Sequence, residues 1–203
     1  MRSLSTVGVI GATGTAGSRV VARLRARDVA VVEISRAHGV DLVSGQGCPA
    51  RWRVSTSEIV LDGPVPATIV RSTQWYEFAT HPAAVTCDDG EVVVQDWLIQ
   101  PIAADTVADV LVEAALGQTH PPRTITGPQT IRLPELTSKL LAQQGDSRRV
   151  RAAQPALGAL ATGALLASGQ AIVIGPDVDT WLHTLAPADT DGGSAGEAAT
   201  PPR

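Results

Sequence analysis

The stretch that decides the fold is "VGVIGATGTAGSRVVARL", Val7 to Leu24. Val7–Ile10 is a short apolar strand that ends at Gly11, and glycines recur at 14 and 17. From Thr15 to Arg27 the spacing becomes helical, with Val20, Val21 and Leu24 on one face and arginines on the other. Ala30–Ile34, "AVVEI", reads as a second strand. Strand, glycine turn, helix and strand form one βαβ unit, which makes the two strands parallel neighbours with a right-handed crossover.

The turn itself is Gly11-Ala12-Thr13-Gly14-Thr15-Ala16-Gly17. A strand running into a helix aims the helix's first N–H groups, and the positive end of its dipole, at this loop. Glycine permits the sharp turn, the approach of backbone to a pyrophosphate, and tight packing of helix on strand. Thr13 and Thr15 add hydroxyl donors. With strand, helix and second strand in sequence, the pattern predicts a dinucleotide site; a tight strand–helix turn without a ligand is the plainer reading.

The tip of the second strand selects the dinucleotide. It reads Glu33-Ile34-Ser35-Arg36, and the guanidinium fork of Arg36 suits a 2′-phosphate. Glu33 shares a strand face with Ser35 and points toward a ribose instead. Taken together, the tip favours NADP(H) over NAD(H), with a solvated loop arginine as the alternative for Arg36. Asp41, in "GVDLVSG", is a candidate for the adenine side or a turn residue.

Working outward, Trp52–Leu61 reads as a helix and Ala67–Val70 as a third strand. "DDGEVVV" at Asp88–Val94 is a turn entering a strand, so Asp88 and Asp89 are hairpin residues rather than a catalytic pair. Asp105–Leu116 and Pro134–Gln144 are amphipathic helices with Arg123–Thr126 a strand between them, and Asp177–Leu185 is the last helix. The tail from 187 to 203 has almost no bulky apolar residue and reads as disordered.

Size and charge narrow the function. The chain has 203 residues, 44% of them hydrophobic but only 3% aromatic, so small aliphatic residues must build one core. A net charge of −4 argues against nucleic acid, and Arg148-Arg149-Val150-Arg151 reads as a solvated loop or edge strand. Cys48 and Cys87 form neither a zinc pattern nor a disulfide framework, which fits a reducing, cytoplasmic setting. Pro155–Gly175 carries no charge but has internal glycines; it reads as a helix over Pro155–Ala167, then a buried turn and strand, rather than a membrane span.

Several segments together resemble the atypical short-chain dehydrogenase/reductase superfamily, in particular its NmrA-like, NAD(P)H-binding branch. They are the opening "VIGATGTAG", the later "VPATIVRSTQWYEFA", "IAADTVADVLVEAAL", "TGPQTIRLPEL" and "DTWL". The resemblance covers most of residues 7–186 and implies a Rossmann-type parallel sheet with a small C-terminal α+β lobe from about residue 88. It also implies that the loop bearing Thr73, Gln74 and Glu77 borders the nicotinamide or substrate site; a core role for Trp75 and Phe78 with turn-capping polar residues is the competing reading.

The middle departs from that family. Only His38–Arg51 spans a region that usually holds further strand–helix units, so the implied sheet is abbreviated, ordered second strand, first strand, then Ala67–Val70. The positions aligned with the family's Tyr-x-x-x-Lys pair are Pro49 and Arg53; the only tyrosine is Tyr76 and the only lysine Lys139. The chain is therefore expected to be a single α/β NAD(P)-binding domain over 1–186. Its function is that of an NADP(H)-dependent oxidoreductase working without the pair or a cofactor sensor, with an unknown small-molecule or protein partner. A protein-interaction module or internally deleted reductase with a vestigial site is the alternative.

Overall fold

The computed structural model describes residues 6–38, 67–88, 90–117 and 123–185. The candidate helix Trp52–Leu61, together with Asp41, Cys48, Pro49, Arg53 and the tail, lies outside them.

The architecture is mixed α/β, and it begins as the glycine spacing predicts. Strand β1 (Thr6–Ile10) enters helix α1 (Thr15–Arg25), and β2 (Ala30–Ile34) returns parallel to β1 in the register Val7↔Val31 to Ile10↔Ile34. The alternating side chains of β1 send Val9 inward against Val20, Val21 and Leu24 of α1. Leu24 is fully buried, worth about 2–3 kcal/mol of apolar transfer.

The rest of the chain follows in order. Strand β3 (Val70–Ser72) leads through a 3-10 turn, Tyr76–Thr80, to the hairpin β4 (Val85–Asp88) and β5 (Glu91–Gln95), then to β6 (Leu98–Ile99). Helix α2 (Ala104–Ala115) is followed by β7 (Arg123–Thr126), β8 (Ile131–Arg132) and helix α3 (Leu133–Gln143). Strand β9 (Val150–Ala153), strand β10 (Ile172–Val173) and helix α4 (Val178–Thr184) complete the described chain.

Two expectations about the sheet are corrected. The third strand starts at Val70 rather than Ala67, and it pairs in parallel with β7 (Val70↔Arg123), not with β1. Among the described residues, β1 and β2 form one parallel pair and β10-β7-β3 a separate parallel sheet. Helix α2 joins the two. Its Ala108 and Val112 pack into the core under β1 and α1, while Val107 and Val110 pack with Ile102 and Ile125 beneath β7. Apolar residues on two faces of one helix hold together sheets that, among the described residues, share no hydrogen-bonded strands.

A third core lies under β4, β5 and β9; Val92, Val94, Leu133, Leu136 and Tyr76 are among its buried residues, and the Tyr76 ring stacks on Trp181. Among the described residues strand β9, which carries Arg151, pairs only with β5, so of the two sequence alternatives, solvated loop or edge strand, the edge strand is found. The expected helix at Pro155–Ala167 does not form. Only the 3-10 turn Gly158–Ala161 appears, because Gly163 takes φ 111°, outside the helical region, and closes the turn. The following strand, β10, is exposed rather than buried. Among the described residues no helix is long and apolar enough to cross a membrane.

Candidate functional site

The head of α1 is the first half of the site. Gly11 sits at φ 75°, reversing the chain out of β1, and Gly14 caps the helix without any side-chain hydrogen bond. At Gly17 the helix rests directly on the turn: a Cβ there would lie 2.0 Å from the carbonyl oxygen of Gly11. The N–H groups of Gly11 and Ala12 are spent on the carbonyl of Ile34 at 2.8 and 3.4 Å, and Ala12 is buried in the core. The turn amides left for a ligand therefore begin beyond Ala12.

Thr15, Ala16 and Gly17 open the helix, so their N–H groups have no intrahelical acceptor. No acidic residue stands in this first turn. The contrast with other helix starts is informative: Glu77 accepts from Ala104 N–H at the head of α2, and Asp177 accepts from Thr180 N–H in α4. Thr13 and Thr15 are exposed beside the open amides.

Because Ile34 is bonded to the turn, Ser35 and Arg36 emerge next to it. Ser35 is buried, its hydroxyl 2.8 Å from Nδ1 of His38, while Arg36 is exposed at the start of a one-turn 3-10 helix. Glu33 is drawn the other way, accepting from Arg25 at the end of α1.

A cavity of about 440 Å³ forms the second half. Thr15 lines one side, and Ser72, Thr73, Gln74 and Trp75, which leave the C-terminal end of β3, line another. Glu77, Phe78 and His81 complete it. The structure thus brings the glycine turn together with the Thr73–Glu77 loop, as a strand's carboxyl end beside a helix N-terminus should.

Within this loop the roles divide. Trp75 Nε1 donates to Ser72 Oγ at 2.9 Å, and an isolated parallel bridge to Ile102 fixes the backbone. Thr73 Oγ1 is 3.0 Å from Thr126 Oγ1. Gln74 Oε1 is enclosed with no hydrogen-bond partner among the described residues. Glu77 is structural: one oxygen accepts from Arg19 at 3.1 Å and the other caps α2 through Ala104 N–H at 3.2 Å. Burial pushes the Glu77 carboxyl up, against the opposing pull of those hydrogen bonds and of Arg19.

Arginines of α1 extend the same seam. Arg19 and Arg23 both bind Asp105 on α2, at 3.0 and 2.7 Å. Partial desolvation works to raise the Asp105 carboxyl, but its two arginine hydrogen bonds outweigh that and hold it below the usual carboxylate range.

Neither proton-transfer candidate in the sequence reaches the cavity. Tyr76 is fully buried, stacks on Trp181 with centroids 4.8 Å apart, and donates its hydroxyl to Pro176 O at 2.9 Å. Burial, with Asp177 and Glu77 nearby, pushes its pKa up to about 12. Lys139 on α3 pairs with Asp179 on α4 at 2.7 Å.

Reading by sequence missed Phe78 and His81 as cavity walls. Their spacing of three residues, which one 3-10 turn brings onto one side, was the available signal. No protein-family model matches the chain, and comparison with curated proteins finds no match.

Proposed function

We propose that the chain is an NAD(P)-binding protein with a Rossmann-type dinucleotide site at the head of α1, NADP(H) being favoured over NAD(H). The observation that carries this reading is the uncapped start of α1 opening, through Thr15, onto the cavity at the end of β3. In this arrangement the amides of Thr15, Ala16 and Gly17 hold the diphosphate, Arg36 meets the 2′-phosphate, and the Ser72–Trp75 loop forms the wall toward the nicotinamide. The resemblance to the NmrA-like branch of the short-chain reductases supports the same assignment.

Bound NADPH would supply a hydride to a carbonyl compound in the cavity. The chain contributes binding, orientation and exclusion of water. It does not contribute a tyrosine acid, since Tyr76 is committed to Pro176 O. That favours a reductase working without the Tyr-x-x-x-Lys pair, or a cytoplasmic NADP(H) sensor with no chemistry. Among the described residues β1 pairs with β2 alone, which favours the second reading, a protein-interaction module or shortened reductase with a vestigial site.

Calorimetric titration with NADPH, NADP+ and NADH tests the proposal. Saturable binding, NADPH ahead of NADH, abolished by Gly14→Asp, is expected; absence of heat with all three excludes it. Turnover of NADPH with aldehydes then separates enzyme from sensor.

A further inference from the structure

His81 is a cavity-lining ring that the cofactor reading leaves unused. Both its backbone and its ring are held. The backbone N–H donates to Phe78 O at 3.0 Å, and its carbonyl accepts from Ala84 and Val85 at 3.0 Å each. The ring lies on Phe78 with centroids 4.6 Å apart and planes 7° from parallel.

The ring's polarity is fixed as well. Ala83 N–H donates to His81 Nδ1 at 3.2 Å. A ring nitrogen accepts only when it carries no proton, so the neutral imidazole keeps its hydrogen on Nε2. His81 is thus a donor held in orientation at the edge of an aromatic stack.

At Thr73, another residue of the lining, the polarity is reversed. Gln100 C=O can only accept, so Thr126 Oγ1 donates to it at 3.1 Å. Thr126 must then accept from Thr73 Oγ1 at 3.0 Å, which leaves Thr73 with lone pairs alone to offer. Both oxygens of Glu77 are already accepting.

We propose that His81 is the hydrogen-bond donor that orients the carbonyl oxygen of a small carbonyl substrate in this cavity. The inference rests on the cofactor reading in taking the cavity as the substrate end of a dinucleotide site. His81 Nε2–H would meet the oxygen whose charge grows as the hydride of NADPH reaches the carbonyl carbon; with Nδ1 held as an acceptor the ring polarises that oxygen, and the resulting alkoxide takes its proton from solvent water, which reaches the exposed His81 side.

Nitrogen NMR of the ¹⁵N-histidine-labelled full chain tests this, with acetophenone as the carbonyl probe and ethylbenzene as the same ring without oxygen. The neutral His81 ring should be the Nε2–H tautomer, and acetophenone alone should shift Nε2. His81→Phe, which keeps the stack, should weaken acetophenone roughly three- to ten-fold and leave ethylbenzene unchanged; His81→Gln, which restores a donor, should recover part of the loss. An Nδ1–H tautomer, a silent Nε2 at saturating acetophenone, or no acetophenone binding overturns the proposal. NADPH titration of the same sample is read separately: binding of NADPH with a silent His81 sinks this inference alone, whereas loss of NADPH binding sinks the cofactor reading.

Discussion

Replacing Gly17 with alanine should loosen the whole first layer of the protein. The new methyl would lie 2.0 Å from Gly11 O and 2.7 Å from Gly11 C, both main-chain atoms that no rotamer change can move. To reach ordinary van der Waals separation, α1 must withdraw by about 1 Å or more, which forfeits a good part of the contact of Val20, Val21 and Leu24 with Val9, Ala108 and Val112. Overpacking of this kind costs about 1–3 kcal/mol, and the rigidity of the opposing backbone puts this case at the upper end. Alanine returns about 1 kcal/mol through helix propensity. The net expectation is a loss of about 2 kcal/mol, read as a lower urea midpoint with an unchanged slope in circular dichroism. NADPH affinity should fall as well, since the same withdrawal displaces the helix head. A variant within about 0.5 kcal/mol of the parent would mean that α1 does not rest on the turn, and the reasoning would be refuted.

Three further outcomes are expected. Arg36→Ala should weaken NADPH about ten- to a hundred-fold, the worth of a charged hydrogen-bonded pair, while NADH binding stays nearly constant in the same calorimeter. Tyr76→Phe should lower stability by about 1 kcal/mol by deleting the bond to Pro176 O while keeping the stack on Trp181, and any NADPH turnover should be unchanged. The Asp105 carboxyl is lower in the folded than in the unfolded chain, so its stabilisation is full above the ordinary aspartate value of 3.8 and is lost as pH falls through the folded value. Asp105→Asn should therefore flatten the acid limb of a stability–pH curve below about pH 4 relative to the parent.

How much of this was legible in the sequence depends on the range of the interaction that decides each element. The β1–α1–β2 unit, α2, α3 and β7 are set by local periodicity, glycine placement and caps, and they appear within a residue or two of where the spacing puts them. The partner of β3 is not a local property: Val70 pairs with Arg123, more than fifty residues on, and no pattern in "ATIVRS" distinguishes that neighbour from β1. The Pro155–Ala167 segment misled because Ala and Leu mimic a helical face while Gly163 takes a conformation helices exclude.

The candidate site divides along the same line. The glycine turn is legible because three small residues are required at fixed offsets, and the Thr73–Glu77 loop because it follows a parallel strand. For Glu77 the sequence left a site-bordering and a capping role open, because its partners Arg19 and Ala104 come from two other elements. His81 was invisible as a donor because its tautomer is fixed by a backbone N–H two residues away.

The claim on which the account stands is that bare amides at the head of α1 hold a diphosphate, and amide ¹H–¹⁵N spectra during NADP+ titration address those atoms one by one. Saturable downfield shifts of Thr15, Ala16 and Gly17 are expected, larger than those of the capped Ala104 and Thr180. Unmoved Thr15–Gly17 amides at saturating NADP+ would contradict that claim.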